Sequence, residues 1–135
     1  MGKNRLLVDS DIFIGYLNHR QHREYLEGAW WQIYYSVVTK KELLAKQGLS
    51  DRERKAILFL LRRYRQVTLT QAIAGRYAEL RRLYPALERE DALIAASALV
   101  RNMPLLTGNQ RHFRIIVGLK LLSLTRYRSR TAPLN

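Results

Sequence analysis

Leu6-Leu7-Val8-Asp9-Ser10-Asp11-Ile12-Phe13 carries the reading that decides the fold. A short apolar run reads as a buried strand and ends on an acid. From Ser10 to Leu17, the apolar residues Ile12, Phe13, Tyr16 and Leu17 recur at helical spacing. A strand therefore hands the chain to a helix through a carboxylate. The alternation continues outward. A second helix follows His19 and stops near Gly28, and Ile33 to Val38, rich in β-branched and aromatic residues, reads as a second strand. Thr39 opens a helix ending at Gly48, and Ser50-Asp51 caps a basic one reaching about Arg65. Val67-Thr68-Leu69 is a short strand, and Thr70 caps a helix to Leu83. The segment Asp91 to Arg101 is apolar on nearly every side, as a helix buried against a sheet must be. Pro104-Leu105-Leu106-Thr107 and Leu121-Leu122-Ser123-Leu124 complete the strands. Strands alternating with helices predict an α/β fold with a central parallel sheet of four to five short strands.

Composition narrows the partners. The 135 residues suit one domain spanning 1–135, with a polar, basic tail from about residue 126. The net charge of +13 favours a polyanionic partner, and nucleic acid is preferred over an acidic membrane surface or protein. Cysteine is absent, which excludes disulfides, zinc–thiolate sites and thiol catalysis, and fits the cytoplasm. The N-terminal apolar stretch is too short for a signal peptide, and no run approaches the ~20 residues that span a bilayer. Gly2 follows Met1, but Leu6 stands where a myristoylation signal wants Ser or Thr.

With only 11 acidic side chains, their placement is informative. Asp9 ends the first strand, Glu42 lies in the first turn of the helix after the second, and Asp91 opens the buried helix. Helices that connect parallel strands begin at the carboxyl edge of the sheet, where such folds bind ligands. Asp9, Glu42 and Asp91 should therefore converge there, with Asn109 beside them past the strand ending at Thr107. Acids so gathered repel unless a cation lies between them. Magnesium suits oxygen ligands and substrate phosphates, and can make an attacking water more acidic. Each acid also has a purely structural explanation. Asp9, Ser10 and Asp11 can cap a helix, Thr39-Lys40-Lys41-Glu42 fits a capping box, and Asp91 complements a helix dipole. Ser50-Asp51-Arg52-Glu53 is a second such box and follows a loop, so the box alone carries no functional weight.

Four segments in order give the chain a recognisable likeness. Leu7 to Ile14, Val38 to Leu44, Asp91 to Leu99 and Leu106-Thr107-Gly108-Asn109-Gln110-Arg111-His112-Phe113 resemble the four motifs of PIN-domain ribonucleases, the toxins of VapBC-type toxin–antitoxin pairs. The resemblance runs over about residues 6 to 124. It implies a PIN-like three-layer sandwich, magnesium or manganese, endonucleolytic cleavage of RNA, a homodimer and a cognate antitoxin that blocks the cleft. It maps Asp9, Glu42 and Asp91 onto the metal-binding acids. Many relatives carry an acid in the fourth motif where this chain has Asn109 and then His112, which points to one metal ion rather than two.

Other residues admit two readings. Ser10 and Thr107 can bind a ligand or terminate their elements, and Asp11 can cap or support the site. His112 can contact substrate or donate a proton, or be local structure. His19 and His22 read as exposed. Trp30 and Trp31 fit core packing or a dimer contact better than stacking on bases. The basic helix and its end, with Arg62, Arg63 and Arg65, can track RNA, stay solvated or meet an antitoxin, and so can Arg126, Arg128 and Arg130. Two alternatives remain. One is a haloacid-dehalogenase-like phosphatase with Asp9 as nucleophile, which would want a late acidic pair where Thr107-Gly108-Asn109 stands. The other is a non-catalytic RNA-binding domain.

Overall fold

The computed structural model describes residues 4–124. In chain order the elements are β1 (Asn4–Val8), α1 (Ser10–His19), α2 (Arg23–Leu26), β2 (Trp31–Ser36), α3 (Val37–Leu44) and α4 (Asp51–Leu61). They continue as β3 (Arg65–Val67), α5 (Gln71–Leu83), α6 (Arg89–Arg101), β4 (Leu105–Leu106) and α7 (Gln110–Phe113). The sheet is parallel throughout, in the order β3-β2-β1-β4.

Side chains alternate across the sheet, as strand geometry requires. Leu7, Tyr34 and Leu105 point to one face, where they join the buried residues of α5 and α6. Leu6, Val8, Ile33, Tyr35 and Leu106 point to the other, against Ile12, Phe13, Leu43, Ile57 and Leu60. Three layers result, with each face of the sheet shielded from water. Fully burying such a side chain contributes about 1.5–3 kcal/mol. Along α6, Ala92, Ala95, Ala96 and Ala98 are buried together with Ile94, so the helix backbone can lie close to its neighbours. Ser97 is buried there too, and its hydroxyl donates to the Leu93 carbonyl at 2.9 Å.

Several boundaries differ from the sequence reading. Val37 and Val38 belong to α3 rather than to a strand, because the Ser36 hydroxyl caps the helix by accepting from the Val38 amide at 3.1 Å. Thr39 is thus the third residue of α3, and that helix stops at Leu44, short of Gly48. The third strand begins at Arg65 and ends at Val67. The expected strand from Leu121 shrinks to a single parallel bridge between Leu105 and Leu121. Arg126, Arg128 and Arg130 lie outside the described residues. Among those described, no helix is long and apolar enough to cross a membrane.

The strand order creates a break. The chain steps outward from β1 to β2 to β3, then returns across the sheet to place β4 on the far side of β1. Between β1 and β4 the crossovers therefore diverge to opposite faces. A parallel sheet opens a crevice at the carboxyl ends of such a strand pair.

Candidate active site

Asp9 follows β1 directly and Thr107 follows β4, so the two flank that crevice. They meet across it: the Thr107 hydroxyl donates to Asp9 Oδ2 at 2.8 Å. The Ser10 amide donates to Asp9 Oδ1 at 2.8 Å, so Asp9 is also the cap of α1. Thr107 in turn accepts from the Asn109 amide at 3.0 Å, which sets the turn into α7. Burial pushes the Asp9 carboxyl up, while the bonds from Thr107 and Ser10 and the charge of His112 pull the other way without cancelling it.

Asp91 is the third residue of α6 rather than its opener, and its carboxyl reaches the same edge. Burial raises it, the negative charge of Asp9 raises it further, and His112 opposes both. The contact is direct, with His112 Nδ1 3.2 Å from Asp91 Oδ2. Glu42 lies in the last turn of α3 rather than the first, because the helix already begins at Val37. Partial burial raises its carboxyl, the Ser10 hydroxyl beside it offsets part of this, and Asp9, Glu90 and Asp91 push it up again. Asp9, Glu42 and Asp91 therefore sense one another's charge, as expected of acids gathered at one edge.

Asp11 belongs to the same group. Its Oδ2 accepts from the Gly108 amide at 2.8 Å, tying α1 to the turn after β4. Its Oδ1 is buried without a hydrogen-bond partner. Burial and the neighbouring Asp9 push its carboxyl up to about 6. Gly108 makes this approach possible, since a Cβ there would stand 2.5 Å from Asp11 Oδ2.

The structure thus brings Asp9, Ser10, Asp11, Glu42, Asp91, Thr107, Asn109 and His112 to one end of the sheet. It does not bring Arg62, Arg63 and Arg65 there. Arg62 and Arg63 lie beyond the C-terminal end of α4 and Arg65 starts β3, so all three stand toward the amino edge. A helix feeding a parallel strand must end at that edge. Two of them also lie over aromatic rings, Arg62 against Phe59 and Arg63 against Tyr64. Trp31 packs partly into the core, Trp30 is exposed, and His22 is half-buried rather than exposed. Gly108 and Glu90 were missed by sequence reasoning. The glycine between Thr107 and Asn109 and the acid run Glu88-Arg89-Glu90-Asp91 were the available signals.

Among the described residues, no three acidic or histidine side chains stand close enough to form a closed metal cage. The arrangement is an open crescent of oxygen donors that raise one another's proton affinity. Magnesium fits such a site better than it fits a cage, because it keeps several waters and takes only one or two carboxylates. The orphaned Asp11 oxygen and the mutual repulsion of Asp9, Glu42 and Asp91 are both relieved by positive charge at this place.

Known proteins share this architecture. The chain is 34% identical to Ribonuclease VapC10 of Mycobacterium tuberculosis over 122 residues, covering 85% of this chain and 90% of that protein. Its fold matches the structure of VapBC2 from Rickettsia felis bound to a promoter DNA fragment with a TM-score of 0.77, at 21% identity, over 87% of this chain and 97% of that one. A toxin–antitoxin complex from Klebsiella pneumoniae aligns with a TM-score of 0.71 and 27% identity, over 84% of this chain and 94% of that one. The PIN domain family matches residues 6–118, which run from β1 past the turn after α7. With its parallel sheet, the crevice between β1 and β4 and the acids around it, this chain belongs to the PIN-domain family.

Proposed function

We propose that this chain is a divalent-metal-dependent endoribonuclease and the toxin of a toxin–antitoxin pair. The observation that carries the reading is the convergence of Asp9, Glu42 and Asp91, with Asp11, at the crevice between β1 and β4. The relative at 34% identity is a ribonuclease by name, and the matching structures are toxin–antitoxin complexes.

Each residue has a task in this reading. Asp9, Asp91 and Glu42 would hold one magnesium ion, or manganese in its place, in part through the waters that such an ion keeps. Bound there, the ion supplies a more acidic water and neutralises charge that develops on the phosphorus. The Ser10 amide and the Thr107 hydroxyl fix the direction of the Asp9 carboxylate. Asp11 holds the turn at Gly108 and so places Asn109, whose side-chain amide can orient a water at the rim. His112 steadies Asp91 and is positioned to meet substrate. The surplus of basic side chains attracts the RNA backbone. Loops and single strands are the expected targets, because their bases are accessible. A cognate antitoxin covering the acids would silence the site, and a homodimer is the expected assembly.

The test is cleavage of mixed RNA by the purified chain with magnesium or manganese, against the same reaction in EDTA. Cutting is expected only with the metal, and Asp9→Asn should abolish it and relieve toxicity on expression. If no divalent ion supports cutting and Asp9→Asn leaves toxicity unchanged, the enzyme reading fails and a non-catalytic RNA-binding domain replaces it. A phospho-aspartate trapped at Asp9 would favour phosphatase chemistry instead.

A further inference from the structure

A groove of about 690 Å³ opens beside the acids, with Asp11, Thr107 and Gly108 forming part of its lining. That volume lies within the roughly 300–1,000 Å³ typical of sites for small ligands. One wall comes from α7 and its end, where Arg111 and Arg114 are both exposed. Among the described residues, neither forms an ion pair, whereas Arg20, Arg23 and Arg76 do. The opposite wall comes from the turn between α1 and α2, through Gln21 and His22.

That turn is built with care. Arg20 and His22 both adopt left-handed backbone, with φ of 55° and 67°, a conformation that side chains other than glycine adopt at a cost. The pair folds Gln21 back over Gly15, where a Cβ would stand 2.7 Å from Gln21 Oε1 and 3.4 Å from the His22 ring. Strain of this kind at the rim of a candidate site is a reason to look for a ligand there. The groove therefore has the Asp11 carboxylate in its lining, amide and imidazole groups from Gln21 and His22, and two guanidiniums that form no ion pair among the described residues. Guanidinium groups hold phosphate oxygens by paired hydrogen bonds, and amide and imidazole groups read base edges.

We propose that this groove is an RNA subsite for the nucleotide next to the scissile bond. In it Arg111 and Arg114 hold the flanking phosphate, and Gln21 and His22 contact the base. The assignment rests on the ribonuclease reading, yet binding can be measured apart from cleavage. A fluorescein-labelled single-stranded 12-nucleotide RNA of mixed sequence is titrated with the full chain in EDTA over a range of salt. Arg111→Ala/Arg114→Ala should weaken binding at least tenfold and reduce the salt slope by about 0.7, the contribution of one single-strand phosphate contact. The charge-matched pair Arg52→Ala/Arg54→Ala, on α4, should weaken it less than threefold. Equal losses from the two pairs, or no RNA binding by the parent chain, would overturn the subsite. In magnesium, Gln21→Ala should change which sites in a mixed RNA are cut while leaving the salt slope intact; an unchanged cleavage pattern would remove Gln21 from the proposal. A parent chain that binds RNA with the expected slopes but never cuts it would sink the nuclease reading and leave the groove standing as an RNA-binding site alone.

Discussion

At the start of α4, Ser50 accepts a hydrogen bond from the Glu53 amide at 3.1 Å, and the Glu53 carboxylate accepts from the Ser50 amide at 2.9 Å. Thr39 and Glu42 have the same spacing in α3 and form no such box, because Ser36 is the cap and Thr39 lies inside the helix. The Thr39 hydroxyl is buried without a partner. Glu53 is therefore engaged in holding a helix end, whereas Glu42 stands beside three other acids that raise its proton affinity. A helix start closed by its own side chains adds stability. One closed from the preceding strand leaves its glutamate available for chemistry.

The largest test of this contrast is activity. Glu42→Gln should lower RNA cleavage by about 10²-fold, on the scale of losing one well-placed polar group in an active site, while Glu53→Gln stays within about twofold of the parent. Equal losses in a steady-state cleavage assay would erase the distinction.

Next comes the pH dependence of stability without metal. Asp11 releases its proton near 3.8 in the unfolded chain and only at about 6 in the folded one. Between these values the folded state holds more protons, so stability falls as pH rises from about 4 to 6 and levels off above. Allowing for solvent screening, the loss should be about 1–2 kcal/mol. Urea melts at pH 4.5 and 7 should show it, and Asp11→Asn should make the fall shallower, what remains coming from Asp9, Glu42 and Asp91, whose carboxyls are raised as well. Glu53→Gln should leave the fall in place, because the Ser50 amide holds its carboxyl low rather than high.

A smaller contrast separates the caps themselves. Ser36→Ala and Ser50→Ala should each cost about 1 kcal/mol in melts, as lost helix caps do. Thr39→Val should cost nothing or slightly stabilise, since it removes a buried hydroxyl that bonds to nothing. A large loss at Thr39 would restore the capping box that the sequence suggests.

The error at Thr39 shows where the sequence stops being informative. Val37 and Val38 are β-branched and prolong the strand pattern, but the Ser36 hydroxyl on the Val38 amide turns the chain into α3 first. At the last strand the apolar residues Leu121 and Leu122 promised an edge. Leu105 donates to the Lys120 carbonyl and accepts from Leu122, and the pairing goes no further than a bridge. The acids were legible because their place follows from topology: Asp9 ends a strand and Asp91 lies in the first turn of a helix that feeds one. The groove wall was not, because nothing in Arg20-Gln21-His22 announces left-handed backbone, as a glycine would have done. The position of Arg62, Arg63 and Arg65 was not legible for a related reason: a basic helix end looks the same in sequence at either edge of a sheet.

The hydrogen bond between Thr107 and Asp9 joins residues 98 positions apart. Asp9 follows β1 and Thr107 follows β4, the last of the four described strands in chain order, so the carboxylate is set only when the crossover to β4 docks. Contacts of such long sequence separation form late, since the entropy of closing a large loop must be met first. The order of folding is thus an order of assembly: a chain that already holds Asp9 and Glu42 has no complete crevice until β4 slides in beside β1.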